Sequence, residues 1–358
     1  MSLSPNPATH TLTESQATQL PGYQSPGAPL LEVRHLTMHF PVGGFVKTRH
    51  VHAIEDVSFT VESGQVVALV GESGSGKSTT IRLIARLIQA TGGEILFHGR
   101  DILKTEPRKA SLAYRRQVQM IFQDPFSSLN AVYTVEHHLA RPLVVHKLTK
   151  DPQHLQQRIY ELLSTVGLDP APEIARRYPH QLSGGQRQRV AIARALAVAP
   201  DLILADEPIS MLDVSIRMGI LNLIARFKEE LGIAYLYITH DLASARYIGD
   251  RILVMYAGHM VEGGESEEIM GHPAHPYTQL LLSAVPDPHA GLRTNQEIGA
   301  RGEVPSLIDP PPGCPFAARC IRVMDICRQV MPDPVDVVPG HWARCHLFGP
   351  QTVEEALR

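Results

Sequence analysis

Cysteine is absent from the first 313 residues of this 358-residue chain, and all four cysteines lie between Cys314 and Cys345. Cysteines that only fill a core would be scattered, so this clustering predicts a local four-thiol site. Two disulfides are a poor alternative, because the chain also lacks the features of a secreted protein and a reducing compartment keeps thiols free.

Long apolar runs are absent as well. The longest, such as Val66–Val70 and Leu202–Ala205, are far shorter than the roughly 18–20 residues that cross a bilayer. The N-terminus has neither a basic start nor an apolar stretch, so we expect no secretory signal. These absences predict a cytoplasmic protein whose role at a membrane, if it has one, comes through docking onto another protein.

The chain also lacks a strong charge of either sign, with a formal net charge of −3. That balance argues against a surface built for nucleic acid, and we expect no nucleic-acid partner. The sequence contains no internal repeat, which favours one main unit over a tandem pair. Hydrophobic residues make up 44 % of the chain, enough for a full core.

Composition divides the chain into three parts. Residues 1–28 are rich in Pro, Ser, Thr and Gln, which predicts a disordered leader. Residues 29–270 alternate apolar strands with amphipathic helices, typical of an α/β fold with a mostly parallel sheet. Within them, residues 124–180 predict an inserted helical subdomain. Residues 271–358 are rich in His, Pro and Asp and form a C-terminal extension that carries the cysteines.

A glycine-rich loop, Gly71–Thr79, follows the strand Val66–Val70 and precedes Ser78–Ile88, whose apolar spacing predicts a helix. Its glycines let backbone N–H groups face phosphate oxygens, and the helix N-terminus adds a positive dipole. Lys77 supplies a charge for the β- and γ-phosphates, and the Ser78 hydroxyl is a ligand for Mg²⁺. The residues assigned to this nucleotide site are Gly71, Ser73, Gly74, Ser75, Gly76, Lys77, Ser78 and Thr79.

Polar residues follow three other apolar runs. Asp206 and Glu207 close one run, where an aspartate can hold Mg²⁺ and a glutamate can polarise an attacking water. His240 ends the run AYLYITH, where its side chain can reach the γ-phosphate and that water, and Gln123 follows MIF. Taken singly, each of these residues also fits a solvated or structural strand end.

The rarer motif is LSGGQ at Leu182–Gln186, which precedes a predicted helix over Arg187–Val198. Ser-Gly-Gly at the start of a long helix exposes N–H donors and a positive dipole that a phosphate can use. The sequence therefore contains two phosphate-binding elements more than a hundred positions apart.

In this order, the motifs resemble those of the ABC transporter ATPases over roughly residues 30–265. The resemblance implies a Walker A loop at Gly71–Thr79, a Q-loop glutamine that also contacts Mg²⁺ at Gln123, a signature at Leu182–Gln186, a Walker B pair at Asp206 and Glu207, a D-loop at Ser210–Asp213 and a switch histidine at His240. Glu207 is then the general base, with His240 and Gln123 as further catalytic residues. The D-loop reads SMLD where the family commonly has SALD.

The same resemblance implies that two ATPase chains pair head to tail. The nucleotide bound by one chain would then contact the signature of the other, namely Ser183, Gly184, Gly185 and Gln186, with Asp213 at the same interface. An aromatic residue upstream of the Walker A loop would stack on the adenine. Phe40 is the first choice for this residue and Phe45 the second.

The tail carries a second resemblance, to the C-terminal extension of oligopeptide/dipeptide importer ATPases. Its residues are HPAHPYTQLLLSAVPDP at His272–Pro288, GEVPSL at Gly302–Leu307, and the segment containing Cys314, Cys320, Cys327 and Cys345. Four thiolates suit a [4Fe–4S] cluster or tetrahedral zinc, and free thiols are a third reading. Zinc sites commonly have short Cys-x₂₋₄-Cys pairs, which are absent here, and the resemblance implies a cluster in some relatives. His272 and His275 read as loop residues between prolines.

These expectations predict the ATP-hydrolysing subunit of a peptide importer, at the cytoplasmic face of the membrane. Its partners would be a similar but distinct second ATPase, two membrane permeases and an external substrate-binding protein. The alternatives are the same motor for nickel, glutathione or oligosaccharide import, and a soluble ABC ATPase outside transport. The soluble class commonly has a long coiled-coil insert or two ATPase halves, and this sequence has neither.

Overall fold

The computed structural model describes residues 28–44, 47–106, 109–149, 151–284 and 305–349. The expected leader therefore lies almost wholly outside the described residues, as does Phe45. The strands are β1 Leu31–Gly44, β2 Lys47–Val61, β3 Val66–Val70, β4 Gly92–Phe97, β5 Arg100–Asp101, β6 Val118–Ile121, β7 Leu202–Asp206, β8 Ala234–Thr239, β9 Arg251–Tyr256, β10 His259–Glu265, β11 Val335–Val338 and β12 His341–Ala343.

The helices fall between the strands and in one inserted segment. They are α1 Lys77–Ile84, α2 Ile102–Thr105, α3 Leu112–Gln117, α4 Pro125–Ser128, α5 Val135–Val145, α6 Pro152–Thr165, α7 Ala171–Arg176, α8 Gly184–Leu196, α9 Val214–Leu231, α10 Leu242–Ile248, α11 Ser266–Gly271 and α12 Pro276–Ser283, with 3-10 turns at Pro179–Gln181 and Asp325–Arg328. Among the described residues, no helix is both long and apolar enough to cross a bilayer.

The main sheet has eight strands in the order β11-β12-β10-β9-β3-β8-β7-β6. Strands β9, β3, β8, β7 and β6 run parallel, and β10, β12 and β11 add antiparallel pairs at one edge. All residues of β3, β7 and β8 are buried, as expected for parallel strands covered on both faces. The mixed α/β fold with a parallel-rich sheet is thereby confirmed.

A second sheet, in the order β2-β1-β4-β5, is antiparallel and packs on one face of the main sheet. The period-2 alternation of β3 decides which side chains meet which layer. Val67 and Leu69 pack with the antiparallel sheet and α1, whereas Val66, Ala68 and Val70 belong to the core on the helical side. The nucleotide loop thus directly follows β3, a strand that packs against an apolar core on each of its two faces.

The inserted segment between β6 and α8 is helical, consisting of α4 to α7 and the turn Pro179–Gln181. Its apolar side chains, including Leu139, Ile159 and Leu163, join the core on the helical side of the main sheet. The segment therefore packs with the sheet core and does not form a separate apolar unit.

The C-terminal extension is built into the same sheet. Strand β12 pairs with β10, with Glu262 opposite Ala343, and β11 pairs with β12. Further upstream, the backbone N–H of His52 donates to the Leu307 carbonyl at 2.8 Å, so this part of the extension lies along β2. The composition change near residue 271 thus marks a change in sequence character within one continuous sheet.

Two helix predictions were wrong at their ends. Helix α1 ends at Ile84 and not at Ile88, because Arg86 adopts a left-handed backbone with φ 56° and Leu87 is exposed. Helix α8 spans Gly184–Leu196, which is earlier at both ends than the expected Arg187–Val198. Its start is fixed by Ser183, whose side chain accepts from the Gln186 backbone N–H in a capping box.

Candidate functional site

The loop after β3 needs glycine at three positions. Gly71, Gly74 and Gly76 have φ of 154°, 80° and 108°, in the region that side chains with a Cβ disfavour. A Cβ at Gly71 would lie 2.1 Å from the Met255 carbonyl oxygen, and one at Gly76 would lie 2.7 Å from the Ala53 carbonyl oxygen. The loop is therefore curled tightly against β9 and β2, with Gly76 as the N-cap of α1.

Lys77 lies inside this curl, with 5 % of its surface exposed. Its Nζ donates to the carbonyl oxygens of Gly71 at 2.7 Å and Glu72 at 2.8 Å. Burial lowers the pKa of the Lys77 ammonium, opposed by the nearby carboxylates of Glu207, Asp206 and Glu72. The ammonium thus already sits where phosphate oxygens would replace the loop carbonyls as acceptors.

The other assigned loop residues surround this centre. Ser75 is buried and its backbone N–H donates to the Glu72 carbonyl at 3.2 Å, whereas Ser73 is exposed at the rim. Ser78 and Thr79 are half-buried in the first turn of α1. Phe40 is half-buried on β1 and packs against the core between the sheets, away from any described contact with the loop.

Strand β7 brings a carboxylate to the loop. The Ser78 hydroxyl donates to Asp206 Oδ1 at 3.0 Å, and burial raises the pKa of Asp206. A hydroxyl and a carboxylate in contact are oxygen ligands of the kind that Mg²⁺ prefers. The two residues fit a Mg²⁺ site, although they are separated by 128 positions in the sequence.

Glu207, the residue after β7, is contacted from both sides. Gln123 Nε2 donates to Glu207 Oε2 at 3.0 Å, and His240 Nδ1 lies 3.2 Å from the same oxygen. Gln123 follows β6 and His240 follows β8, so three strand ends converge on one carboxylate. The carboxyl ends of adjacent parallel strands are where open α/β sheets bind ligands.

The backbone of Glu207 is itself unusual. Its φ is 44°, in the left-handed region that a residue with a Cβ seldom adopts. The conformation is held by its backbone N–H, which donates to the Ile238 carbonyl at 3.0 Å, and by Ser210, whose hydroxyl donates to the Glu207 carbonyl at 3.0 Å. Strained backbone of this kind is concentrated at functional sites, where the surrounding structure imposes it.

The signature segment lies at the exposed N-terminus of α8. Ser183 is the N-cap, and Gly184 and Gly185 form the first turn. A Cβ at Gly185 would lie 2.6 Å from Ile216 Cγ2, so this glycine also permits α8 to approach α9 closely. Gly184 has no such restriction, since the nearest atom would be Leu212 Cδ2 at 3.6 Å.

The D-loop connects the Walker B end to α9. Asp213 is the N-cap residue of α9 without a side-chain cap bond, and it is exposed. Three apolar side chains around it are exposed as well, namely Met211, Val214 and Met218. Exposed apolar side chains grouped in this way are typical of a surface that another protein covers.

The four cysteines converge on one small cavity, which is also lined by His275 and Phe316. Burial raises the pKa of the Cys314 thiol to about 12 and that of the Cys345 thiol to about 11. The structure thus brings together residues that are spread over 32 positions of the chain.

His275 lies in the bend between α11 and α12, between Pro273 and Pro276 as the sequence indicated, but it is buried and is the N-cap of α12. Its Nδ1 accepts from the Tyr277 backbone N–H at 3.0 Å, and burial lowers its pKa to about 4. A neutral imidazole is therefore required at this cap. His272, by contrast, is exposed and lies 3.3 Å from the Glu268 carboxylate.

Sequence reasoning missed one group and one contact near the site. His39, His52 and Glu55 form a compact group, in which Glu55 Oε2 accepts from both imidazoles at 2.6 and 2.9 Å. Arg319 of the extension contacts Glu72 of the nucleotide loop. No sequence signal indicates either, because the first depends on the register between β1 and β2 and the second on how the extension docks against the nucleotide loop.

This fold and this site define a P-loop ATPase, with the loop after β3 and the acidic pair after β7 at the same end of one sheet. Comparison with protein families refines the class. Residues 54–210 match the ABC transporter family, and residues 261–327 match the family described as the oligopeptide/dipeptide transporter C-terminal region.

Curated relatives match over most of their length. The oligopeptide transport ATP-binding protein AppF of Bacillus subtilis is 42 % identical over 323 residues, 89 % of this chain and 97 % of AppF. OppF of the same organism is 50 % identical over 268 residues, 75 % of this chain and 86 % of OppF. The dipeptide transport ATP-binding protein DppF of Escherichia coli is 44 % identical over 310 residues, 86 % of this chain and 91 % of DppF.

Among solved structures, the dimeric ATP-binding cassette MJ0796 with ADP and phosphate is similar with a TM-score of 0.58 and 29 % identity. The match covers 66 % of this chain and 98 % of that one. The chain therefore belongs to the ABC transporter ATPases, and within them to the group of oligopeptide/dipeptide transport ATP-binding proteins. The resemblance stated from the motifs is confirmed.

Proposed function

We propose that this chain hydrolyses ATP to power the import of peptides through a membrane transporter. One observation carries the hydrolytic part: Gln123 and His240 hold the Glu207 carboxylate beside the paired Ser78 and Asp206. The relatives AppF, OppF and DppF, whose names state peptide transport, support the cargo.

The nucleotide would bind with its phosphates in the loop after β3. The Lys77 ammonium would exchange the carbonyl oxygens of Gly71 and Glu72 for β- and γ-phosphate oxygens. Ser78, Asp206 and the Gln123 amide oxygen would hold Mg²⁺, which neutralises phosphate charge when bound. Phe40 is proposed to stack on the adenine.

Glu207 is proposed as the general base. Its carboxylate faces the strand ends where the γ-phosphate would lie, and Gln123 and His240 restrict its orientation. Water attacking the γ-phosphate would give up its proton to this carboxylate, while His240 would contact the transferred phosphoryl group. The left-handed backbone of Glu207 aims the side chain at that position.

A second ATPase subunit would complete the site. Ser183 is exposed at the N-terminus of a 13-residue helix, so this helix N-terminus can face a nucleotide bound by the partner, with the Ser183 hydroxyl still able to donate while it caps the helix. The exposed Met211 and Val214 lie beside Asp213 and support a covered surface there. We propose that the partner is a similar but distinct ATPase.

The permease surface is proposed to lie around Gln123 and the helical segment after it. Phe122, Val132 and Tyr133 are exposed apolar side chains in this region, and they suit contact with cytoplasmic loops of two permease subunits. The chain would then act as a peripheral subunit at the cytoplasmic face of the membrane, with an external substrate-binding protein delivering the peptide.

We further propose a [4Fe–4S] cluster at the four cysteines. The four cysteines share one cavity, and the sequence lacks the short Cys-x₂₋₄-Cys pairs that are common in zinc sites, which supports a cluster over a single ion. Bound thiolates would brace the extension, which has only a small apolar core of its own.

Iron and acid-labile sulfide in anaerobically purified protein test the cluster. Four of each per chain are expected. Zinc without sulfide would contradict the proposal.

Transport is tested in proteoliposomes that contain this chain together with its candidate partner ATPase and permeases, and a purified peptide-binding protein. ATP-dependent uptake of labelled tri- to penta-alanine is expected, with Glu207→Gln vesicles as the matched control. Uptake of nickel or glutathione without peptide uptake would overturn the peptide assignment and leave the ATPase assignment standing.

A further inference from the structure

The extension reaches the nucleotide loop through one arginine. Arg319 lies between Cys314 and Cys320, and its guanidinium grips the Glu72 carboxylate with both ends of its fork: Nη1 to Oε2 at 2.7 Å and Nη2 to Oε1 at 3.0 Å. Bidentate pairs of this kind fix geometry as well as supplying energy. Glu72 is the second residue of the nucleotide loop, 247 positions earlier in the chain.

Every polar group of Glu72 is held in place. Its backbone N–H donates to Tyr277 Oη at 2.8 Å, and its carbonyl accepts from Lys77 Nζ at 2.8 Å. The carboxylate is the third point, held by Arg319. Two of these restraints, from Tyr277 and Arg319, therefore come from the extension, whereas the carbonyl is held within the loop by Lys77 and by the Ser75 backbone N–H.

Arg319 packs against a group of buried aromatic side chains. Tyr256, Tyr277 and Phe316 form a buried aromatic group with ring centroids 4.5 to 5.4 Å apart. Arg319 donates to Tyr256 Oη at 3.3 Å, and its backbone N–H donates to the Phe316 carbonyl at 2.9 Å. The guanidinium is thus fixed between the aromatic group and the loop, with little freedom to follow a loop that moves.

We propose that Arg319 is a positioning residue for nucleotide binding: through Glu72 it holds the phosphate loop in its binding-competent conformation. The inference rests on the proposed ATPase function and adds a role for the extension within it. A glycine-rich loop samples many conformations, and the apparent affinity falls in proportion to the competent fraction. Without the ion pair between Arg319 and Glu72, the fraction of nucleotide-free chains with a binding-competent loop is expected to fall.

The effect should fall on binding and not on the chemical step. Glu207, Gln123 and His240 lie on the strand ends and make no described contact with Arg319. Once ATP is bound, its phosphates hold the loop. Removing the bridge is therefore expected to raise the nucleotide Kd about tenfold, whereas kcat at saturating ATP stays within about twofold.

The chain provides a matched control in Arg344. It also precedes a cysteine, also joins the extension to the ATPase core, and is similarly buried, with 11 % of its side chain exposed against 8 % for Arg319. Its Nη2 lies 3.0 Å from Asp56 Oδ2 on β2, away from the nucleotide loop. A general loss of docking would affect both arginines alike.

The test is titration of the full chain with a fluorescent ADP analogue. Arg319→Gln and Glu72→Gln should each raise the Kd about tenfold, and the double variant should raise it no further than either. Arg319→Lys should raise the Kd by less, because its ammonium keeps the charge next to Glu72 although it cannot bind both oxygens. Arg344→Gln should leave the Kd within about twofold. Equal effects of Arg319→Gln and Arg344→Gln, or additive effects of the Glu72 and Arg319 variants, would overturn the proposal.

Two further measurements separate the possible outcomes. Glu72 is half-exposed, so Glu72→Gln removes the Arg319–Glu72 ion pair even if Arg319→Gln does not fold. An unchanged Kd for Glu72→Gln would by itself contradict the proposal. Nucleotide should also slow amide exchange at Phe316–Cys320 in the wild-type chain but not in Arg319→Gln, by reciprocity of coupled sites. Failure of the wild-type chain to bind nucleotide would instead contradict the proposed function itself.

Discussion

The nucleotide end of the sheet and the cysteine-bearing extension organise their polar residues in different ways. At the nucleotide end, side chains project from the ends of fully buried parallel strands, β3, β7 and β8. In the extension, two strands of four and three residues and a small apolar group, Ala317, Ile326 and Cys327, form little core of their own, and Tyr277 and Phe316 pack into the core of the main sheet instead. The first site is formed by the fold itself, whereas the second is joined to the ATPase core by ion pairs and, under the proposal above, would be braced by a bound group.

The largest effect is expected from Lys77→Ala. Lys77 places a buried ammonium within the loop curl, so its loss should weaken nucleotide binding by roughly 100–1,000-fold. Equilibrium binding of a fluorescent ADP analogue measures this loss. Lys104→Ala is the control, because Lys104 pairs with Glu94 and Asp101 on the surface and should leave the Kd unchanged. A small effect of Lys77→Ala would mean that the fold does not form this site.

Cys327→Ser is expected to destabilise the extension while leaving the nucleotide site active. Loss of one ligand is expected to remove the iron and to lower the free energy of unfolding by about 2–3 kcal/mol, which shifts the Tm by roughly 4–12 °C. Turnover at saturating ATP should stay within about twofold. Ala317→Ser adds a hydroxyl to the same apolar group without removing a thiol, and it should retain the iron. An unchanged iron content and Tm in Cys327→Ser would contradict the bracing role.

Packing at the nucleotide end is tested by two adjacent glycines. Gly185→Ala would place a Cβ 2.6 Å from Ile216 Cγ2, so α8 and α9 must separate, at a cost of about 1–2 kcal/mol in urea unfolding. Gly184→Ala meets its nearest atom at 3.6 Å and should be neutral or slightly stabilising. If the two variants had the same stability, the close approach of the helices would be refuted.

The smallest effect concerns β10, the strand of the ATPase core that pairs with β12 of the extension. Burial lowers the pKa of His259 to about 4, so between that value and the unfolded value near 6.5 the unfolded chain binds more protons than the folded one. Stability contributed by neutral His259 is therefore lost as the pH falls through this window, by about 1 kcal/mol between pH 7 and pH 5.5. Urea melts at pH 7 and pH 5.5 should show a smaller decrease for His259→Gln than for the wild-type chain, and an equal decrease would remove His259 as the cause.

The difference between the strands of the main sheet and the contacts made by the extension also explains which features the sequence could predict. Val66–Val70 was predicted with its correct bounds, because a short apolar run between polar breaks leaves little choice for a buried strand. The end of α1 was missed because apolar spacing continues to Leu87 while the backbone turns at Arg86. Periodicity does not reveal a left-handed residue.

Contacts between distant segments could be anticipated only where a motif linked them. The assigned partners Gln123, Glu207 and His240 do converge, because parallel strands end at the same edge. The Arg319–Glu72 bridge had no such signal, since it follows from the extension adding strands to the sheet. Ion pairs formed by tertiary docking depend on geometry that no local pattern encodes.

The most direct test of the central claim, that the strand-end carboxylate performs the chemistry, is ATP turnover by Glu207→Gln measured beside its nucleotide Kd. Glutamine keeps the shape and the contacts to Gln123 and His240 but cannot accept the proton from water. The predicted result is a loss of kcat on the order of 100-fold or more with the Kd within about twofold of the wild-type value. Near-normal turnover with unchanged binding would contradict the account.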